Sequence, residues 1–277
     1  MQTTASGREN HLKYKESTLI SHILAFREKL AKGQLCLGTG ITLSDPAVVE
    51  ALAPEVDFLW IDLEHNPINI ESLLRLLIAA RAGGAATLVR LPSSDPALLK
   101  RVLDTGAEGI IIPQVRSADE VRKVVDTTRY KPLGNRGWGP RRPSDYGRRS
   151  MEQIVHEANE QLFLAVQIEN TDAIADLDEI IKVPGIDCLV VGPHDLALSM
   201  GVGGQLDDSN YLATIRTIIQ KGHEAGLSIG FGDEAQAECA QRWVEMGADW
   251  IQPGSDFGYM IKTANQLFAD IRKAASK

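Results

Sequence analysis

Two acidic side chains, Glu169 and Asp195, follow consecutive short apolar runs of the sequence, and their type and position suit metal binding. Neighbouring carboxylates repel each other unless a cation or a shared proton lies between them. Two acidic ligands that leave further coordination positions to water or substrate are typical of Mg²⁺ and Mn²⁺ sites. His194 could add a nitrogen ligand, which would suit Zn²⁺ or Co²⁺. The alternative interpretation is that the carboxylates cap helices, since a helical pattern begins near each of them.

His65 and Arg90 are the candidates for proton transfer and for charge stabilisation. His65 follows Asp62 and Glu64, which share one face of an extended segment. A carboxylate near an imidazole fixes its tautomer and raises its basicity, as a general base requires. The alternative is a structural histidine at a strand end. Arg90 ends an apolar run, where a guanidinium is costly unless it meets an anion. It therefore either forms a salt bridge with Asp62 or Glu64 or stabilises developing negative charge.

These side chains need a scaffold that brings the ends of distant segments together. Eight short apolar runs, typical of buried parallel strands, recur at Leu35–Gly38, Asp57–Asp62, Ala86–Leu91, Gly109–Pro113, Phe163–Ile168, Asp187–Gly192, Leu227–Gly230 and Asp249–Gln252. Amphipathic helical patterns between them lie at Ile70–Arg81, Ala97–Leu103, Ala118–Thr128, Thr171–Lys182, Tyr211–Ala225 and Glu234–Met246. This alternation predicts an α/β protein with one (β/α)8 barrel, a TIM barrel, over residues 19–277, and a flexible extension over residues 1–18. An open doubly wound sheet is disfavoured, because no Gly-x-Gly-x-x-Gly opens a helix after the first run.

The active site of such a barrel lies at the carboxyl ends of its strands, so polar residues that follow the runs are expected to converge on one mouth. They include the residues above, Gln167 and the segment Gln252–Asp256. No lysine ends any of the eight runs. A Schiff-base aldolase needs a lysine buried in the barrel, so this absence favours a metal ion as the electron sink.

One long connection, Pro132–Arg149, carries five arginines among glycines and prolines. Connections of this length without regular structure are usually functional or mobile. One interpretation is a solvated basic surface or a subunit contact. The other is a lid or rim that attracts an anionic substrate.

The composition excludes several classes of protein. With 29 basic and 37 acidic residues the formal net charge is −8, which disfavours general nucleic-acid binding. No apolar run approaches the ~20 residues that span a bilayer, and the first fifteen residues lack the apolar core of a signal peptide. The three cysteines, Cys36, Cys188 and Cys239, are far apart and are expected to be free thiols. We therefore expect a soluble, cytoplasmic protein with no nucleic-acid or membrane partner.

Four segments together resemble the HpcH/HpaI aldolase family over about residues 30–272: Trp60–His65, Leu88–Arg90, Val166–Glu169 and Gly192–Leu196. The family consists of metal-dependent, class II pyruvate aldolases with a barrel of the phosphoenolpyruvate/pyruvate-domain type. The resemblance implies a carbon–carbon lyase that reversibly cleaves a 4-hydroxy-2-oxoacid into pyruvate and an aldehyde. The alternative is an enolate-forming lyase that decarboxylates oxaloacetate, as in the related macrophomate synthase.

The resemblance also implies roles for individual residues. Glu169 and Asp195 would be the ligands of the metal ion, Mg²⁺ or Mn²⁺. Arg90 would stabilise the enolate oxygen, and His65 would accept the proton. Asp104 would raise the basicity of that histidine, with help from Asp62.

Substrate contacts are implied for a further set of residues, namely Trp60, Gln167, Pro193, His194, Asp195, Arg136 and Gly137. His194 departs from the family pattern, which commonly has a small residue at this position, and Gly230–Asp233 and Gln252–Phe257 also differ. The resemblance further implies a homo-oligomer, a trimer or hexamer, assembled through the last helix at Phe257–Lys273.

Overall fold

The computed structural model describes residues 21–276, so the expected extension over residues 1–18 lies outside the described part of the chain. Eight parallel strands pair in chain order and close into a barrel through β8 and β1. They are β1 Cys36–Ile41, β2 Phe58–Asp62, β3 Ala86–Arg90, β4 Gly109–Ile112, β5 Phe163–Ile168, β6 Cys188–Val191, β7 Ser228–Asp233 and β8 Trp250–Pro253. The predicted (β/α)8 barrel is thereby confirmed.

Helices surround the barrel and shield the outer faces of its strands. They are α1 Ser21–Ala31, α2 Pro46–Leu52, α3 Ile70–Gly83, α4 Pro96–Asp104, α5 Ala118–Thr128, α6 Met151–Glu160, α7 Thr171–Ala175, α8 Leu177–Ile180, α9 Pro193–Ser199, α10 Ser209–Glu224, α11 Ala237–Met246 and α12 Asp256–Ala275, with a short 3-10 helix at Ala53–Glu55. None of the helices in residues 21–276 has the length and apolar character needed to cross a membrane.

The predicted helix over 171–182 is two helices in the structure, α7 and α8. Asp176 separates them, and its carboxylate accepts a hydrogen bond of 2.6 Å from the N–H of Ala118 at the start of α5. The break therefore allows a side chain of one βα unit to cap the helix of another unit.

Helix α1 closes the amino end of the barrel, and the periodicity of the sequence did not predict it. Phe26 of α1 packs edge-on against Phe58 and Phe163, the first residues of β2 and β5, with ring centroids 5.3 and 5.4 Å apart. Trp250 at the start of β8 completes this buried aromatic cluster. Because α1 fills this end, the carboxyl end is the one left open for a ligand.

The arginine-rich connection between α5 and α6 packs at the amino end of the barrel, not over the mouth at its carboxyl end. Arg142 is buried and donates hydrogen bonds to the carbonyl oxygens of Leu77 and Thr105, near the carboxyl ends of α3 and α4. Helices of the barrel run back from the mouth, so their carboxyl ends lie at the amino end of the strands. This position excludes a lid over the cleft of the same chain and leaves the surface or subunit-contact interpretation.

Glu108 is a buried carboxylate at this amino end. It is 5% exposed and accepts a hydrogen bond of 3.1 Å from the N–H of Thr87. Burial raises the pKa of Glu108 from its ordinary value of 4.5 to about 7, although the Thr87 hydrogen bond and the charge of Arg142 oppose the rise. Between these two pH values the folded chain binds a proton that the unfolded chain has released. Ionisation of Glu108 therefore costs stability progressively as the pH rises from about 4.5 through 7.

We expect Glu108→Gln to raise the free energy of unfolding at pH 8 by about 1–3 kcal/mol, because the amide keeps an acceptor for Thr87 without a buried charge. The gain should shrink as the pH falls towards 4.5. Urea unfolding of both proteins across this pH range measures the difference. Glu55→Gln, the same change on an exposed side chain, should show no such pH dependence. An equal or lower stability of the Glu108 variant at pH 8 would contradict the expectation.

Candidate active site

A cleft with a volume of about 570 Å³ opens at the carboxyl ends of the strands. Most of the residues predicted from the sequence line it: Trp60, Asp62, His65, Arg90, Gln167, Pro193, His194 and Asp195. Glu169 lies directly behind this lining, 2% exposed, and accepts a hydrogen bond of 2.8 Å from Nε2 of Gln167. The barrel thus assembles side chains from four strand ends, those of β2, β3, β5 and β6, on one mouth.

Glu169 is held in place by its neighbours on three sides. The N–H of Gln114 donates to Oε1 over 2.7 Å, and Gln114 adopts a left-handed backbone conformation with φ 53° to do so. A side chain at Gly192 would overlap Oε2, so only glycine leaves room for the carboxylate. Burial, together with the charges of Asp195 and Glu64, raises the pKa of Glu169 to about 7, although the Gln114 hydrogen bond and the charge of Arg90 oppose the rise.

These residues fit a hard divalent metal ion. A buried carboxylate close to other acids is destabilised by desolvation and repulsion, and a cation between them would relieve both. Oε1 of Gln167 is buried beside Glu169 and has no hydrogen-bond partner within residues 21–276. Two carboxylates and a carbonyl oxygen are the ligand types that Mg²⁺ and Mn²⁺ prefer. No group of three His, Cys, Asp or Glu side chains in the described chain could hold a metal ion, so water or substrate would complete the coordination.

Arg90 forms both of the salt bridges considered for it. Its Nε lies 2.8 Å from Oδ1 of Asp62 and 3.3 Å from Oε2 of Glu64, and its guanidinium lies 5.2 Å from the ring centre of Trp60. Burial alone would raise the pKa of Asp62, but the hydrogen bond and charge of Arg90 hold that pKa below its ordinary value. Because both bridges use Nε, the terminal nitrogens of Arg90 can donate to an anion in the cleft.

His65 is the exposed base of this group. Its side chain is 62% exposed, and Nε2 lies 3.6 Å from Oε2 of Glu64. Asp62 instead accepts hydrogen bonds from Arg90, from the N–H of Glu64 and from Asn66. The carboxylate that the structure brings to His65 is therefore Glu64, one of the two that the extended spacing indicated.

Three predicted residues do not reach this cleft within one chain. Asp104 is the last residue of α4, which starts at the mouth and ends at the opposite side of the barrel. There Oδ1 of Asp104 accepts a hydrogen bond of 3.1 Å from Arg136, whose guanidinium also lies over the ring of Tyr130. Gly137 lies beside Lys100 of the same helix. The predicted contact of Asp104 with His65 is therefore absent between these residues of a single chain.

Residues at the ends of β7 and β8 also line the cleft; those of β8 belong to the segment Gln252–Asp256 that was expected at the mouth, whereas those of β7 were not predicted. Asp233, Glu234, Gln252 and Ser255 line the cleft. The apolar run predicted for β7 ended at Gly230, whereas the strand continues through Phe231 and Gly232 to Asp233. The first polar residue after the apolar stretch of this longer strand was the signal in the sequence that could have identified Asp233.

Comparison with known proteins agrees with this geometry. The profile of the HpcH/HpaI aldolase/citrate lyase family matches residues 41–263. The chain is 36% identical to a hydroxypyruvate/pyruvate aldolase of Roseovarius nubinhibens over 89% of this chain and 96% of that relative. It is 34% identical to a 4-hydroxy-2-oxo-heptane-1,7-dioate aldolase of Shigella flexneri over 91% of this chain and 94% of that protein.

A solved structure of macrophomate synthase superposes with a TM-score of 0.81 and 26% identity, over 92% of this chain and 90% of that chain. The match to the family profile extends through all eight strands, from the last residue of β1 to the middle of α12. The resemblance stated from the motifs is thus confirmed: the chain belongs to the HpcH/HpaI aldolase/citrate lyase family.

Proposed function

We propose that this protein cleaves a 4-hydroxy-2-oxoacid into pyruvate and an aldehyde, and forms the same bond in reverse, with a divalent metal ion held by Glu169 and Asp195. The relatives described above are aldolases, and the protein is accordingly a carbon–carbon lyase. Dependence on a divalent metal ion is typical of the family. The observation that carries the metal assignment is the burial of Glu169 close to Asp195 and Glu64.

The 2-oxoacid end of the substrate would lie against Gln167, Pro193 and Asp195. A divalent ion bound there supplies electrophilic stabilisation of negative charge on the keto oxygen. Arg90 adds hydrogen-bond donors at the same oxygen, and its bridges to Asp62 and Glu64 hold the guanidinium in position before the charge develops. Trp60 supports the guanidinium through its ring face.

His65 would move the proton. In cleavage its imidazole accepts the proton of the C4 hydroxyl as the C3–C4 bond breaks, and the electron pair of that bond remains with the pyruvate fragment. The proton then passes to C3 to form the methyl group of pyruvate. Oε2 of Glu64 lies 3.6 Å from Nε2 of this imidazole, beside the group that would carry the proton. Asp104, Arg136 and Gly137 could serve this chemistry only in the cleft of another copy of the chain.

Glu169→Gln and Asp195→Asn should each lower the rate of pyruvate release by about 100-fold or more, because each removes a charge that holds the cation. A chelator should abolish the activity of the parent enzyme, and Mg²⁺ or Mn²⁺ should restore it. A lactate-dehydrogenase-coupled assay on a 4-hydroxy-2-oxoacid measures the rate, and calorimetric titration with Mn²⁺ measures binding. Asp172→Asn is the matched control, since this exposed carboxylate lies three residues after Glu169 in the sequence and outside the cleft. Unchanged rates and Mn²⁺ binding in both ligand variants would refute the metal assignment.

Decarboxylation of oxaloacetate would use the same residues, because loss of carbon dioxide leaves the same pyruvate enolate. We expect cleavage of the 4-hydroxy-2-oxoacid to be the main activity, as the relatives at 34 and 36% identity are named aldolases. Pyruvate release from the two substrates under the same metal concentration compares the activities. Release from oxaloacetate alone would overturn the aldolase assignment and favour the decarboxylase.

We further propose that α12 packs against a second copy of the chain in a trimer or hexamer. Its apolar side chains are about half exposed, between 49 and 58%: Phe257, Met260, Ile261, Leu267, Phe268 and Ile271. Their spacings of three, four and seven residues place them on one apolar face of a 20-residue helix. An unpartnered apolar face of this length is typical of a subunit interface.

Leu267→Glu combined with Phe268→Glu should lower the molar mass measured by light scattering after gel filtration, because two charges would enter the proposed interface. Ala269→Glu adds the same charge at an exposed position away from this face and should keep the mass of the parent. A parent protein that is monomeric at micromolar concentration would argue against the proposal, as would an unchanged mass in the double variant.

A further inference from the structure

The half of the cleft away from Arg90 carries polar side chains that the proposed reaction does not use. We call it the acceptor half and define it by His194, Asp233, Glu234, Gln252 and Ser255, all of which line the cleft. β7 and β8 lie across the barrel from β3 and its Arg90. An aldehyde that reacts with the methyl carbon of pyruvate would therefore extend its remaining atoms into the acceptor half.

Glycines keep the floor of the acceptor half open and fix Gln252. A Cβ at Gly232 would lie 3.1 Å from Oε1 of Gln252 and 3.3 Å from the ring of Trp60, and a Cβ at Gly40 would lie 3.0 Å from Nε2. The amide Nε2 of Gln252 donates to the carbonyl oxygen of Gly254. Gly40 and Gly232 thus leave room for the side chain of Gln252, whose fixed carboxamide presents Oε1 as a hydrogen-bond acceptor.

Asp233 is held rigidly at the end of β7. Its Oδ2 accepts a hydrogen bond of 2.6 Å from Nε1 of Trp243, and its Oδ1 accepts one of 2.7 Å from the N–H of Glu234. Trp243 is itself stacked on Phe231 at 4.8 Å. The side chain of Asp233 is only 3% exposed, so the carboxylate is a fixed acceptor with little freedom to rotate.

His194 connects this fixed acceptor to the cleft. Its Nε2 lies 3.4 Å from Oδ1 of Asp233, while 52% of its side chain is exposed. A carboxylate can only accept, so Nε2 carries a proton and Nδ1 is left for another partner. Nδ1 accepts a hydrogen bond in the neutral ring and donates one in the charged ring. A hydroxyl group satisfies either form, whereas a methyl group satisfies neither.

The charges of the acceptor half disfavour a second carboxylate on the aldehyde. Asp233 and Glu234 are both acidic, and the one lysine or arginine among the described residues that line the cleft is Arg90, on the opposite side. That guanidinium is already bridged to Asp62 and Glu64. Within one chain, an anionic group in the acceptor half would therefore meet the like charges of Asp233 and Glu234 with no lysine or arginine beside it.

We propose that the acceptor half selects uncharged aldehydes that carry a hydroxyl group next to the carbonyl carbon, and that His194, oriented by Asp233, hydrogen-bonds to that hydroxyl. The assignment rests on the proposed aldolase reaction and names its aldehyde class. His194 and Gln252 supply the polar contacts, and Asp233 is a positioning residue that acts through His194.

Aldol addition of pyruvate to three aldehydes tests the selection in the parent enzyme. Glycolaldehyde carries the hydroxyl, propanal replaces it with a methyl group of similar size, and succinic semialdehyde carries a carboxylate. With saturating pyruvate and Mn²⁺, we expect kcat/KM per free aldehyde to be about 10-fold or more higher for glycolaldehyde than for either competitor. Equal values, or a preference for propanal or succinic semialdehyde, would overturn the proposal.

Asp233→Asn tests the positioning role. The amide can still accept from Trp243, but it no longer imposes one tautomer on His194, so the glycolaldehyde-to-propanal ratio should fall by about 3- to 10-fold. Glu238→Gln makes the same chemical change on an exposed side chain of α11, outside the cleft, and should keep the parent ratio. A ratio that survives in Asp233→Asn would refute the role of Asp233. If that variant does not fold, as judged by circular dichroism, His194→Leu, which removes both ring nitrogens, replaces it and should show the same fall.

A separate measurement distinguishes this inference from the aldolase proposal itself. Exchange of the pyruvate methyl protons with D₂O, followed by proton NMR with Mg²⁺ and no aldehyde, reports enolate formation alone. Absence of metal-dependent exchange would contradict the proposed function. Exchange together with indifference to the aldehyde hydroxyl would contradict only the selection by His194 and Asp233.

Discussion

The repulsion among buried carboxylates at the mouth of the barrel is the constraint on which the site depends. Glu169 is almost completely buried, and Asp195 and Glu64 lie near enough for their charges to raise its pKa. Arg90 compensates only part of this charge, because it is shared between Asp62 and Glu64. Such a cluster is costly unless a cation binds to it. Under the proposed metal assignment, the fold would hold these carboxylates in place before the ion binds.

The barrel tolerates this cluster because the residues that stabilise the fold and the polar residues of the site lie at opposite ends of the strands. Its amino end is closed by Phe26 and the aromatic residues at the strand starts, and the arginine-rich connection caps helix ends on the same side. The polar groups are concentrated at the carboxyl ends, where the backbone of rigid strands fixes their positions. These fixed positions leave little room for substitution, since a single added carbon at Gly192 would displace Glu169.

The sequence was sufficient to predict the barrel and most of the cleft, because apolar runs mark buried parallel strands and the residue after each run lies at the mouth. β7 was predicted too short, since Gly230 looked like the end of a run. In the structure Gly230 lies within the strand. The indole of Trp250 occupies the space that a side chain at position 230 would need, which explains the glycine there. Asp104 shows a second limit of prediction from the sequence. Its motif matches the family in order, but a residue at the end of a barrel helix lies far from the mouth of its own chain.

The location of Asp233 and Gln252 on β7 and β8 has a consequence for how such an enzyme could diversify. Gln167, Glu169 and Asp195 stand at β5 and β6, so the proposed metal ligands and the acceptor-half residues Asp233 and Gln252 belong to separate pairs of strands, although His194 of the acceptor half lies next to Asp195. Exchanging the tips of one pair would leave the other pair intact. The architecture therefore lets new substrate ranges evolve modularly around an unaltered reaction centre.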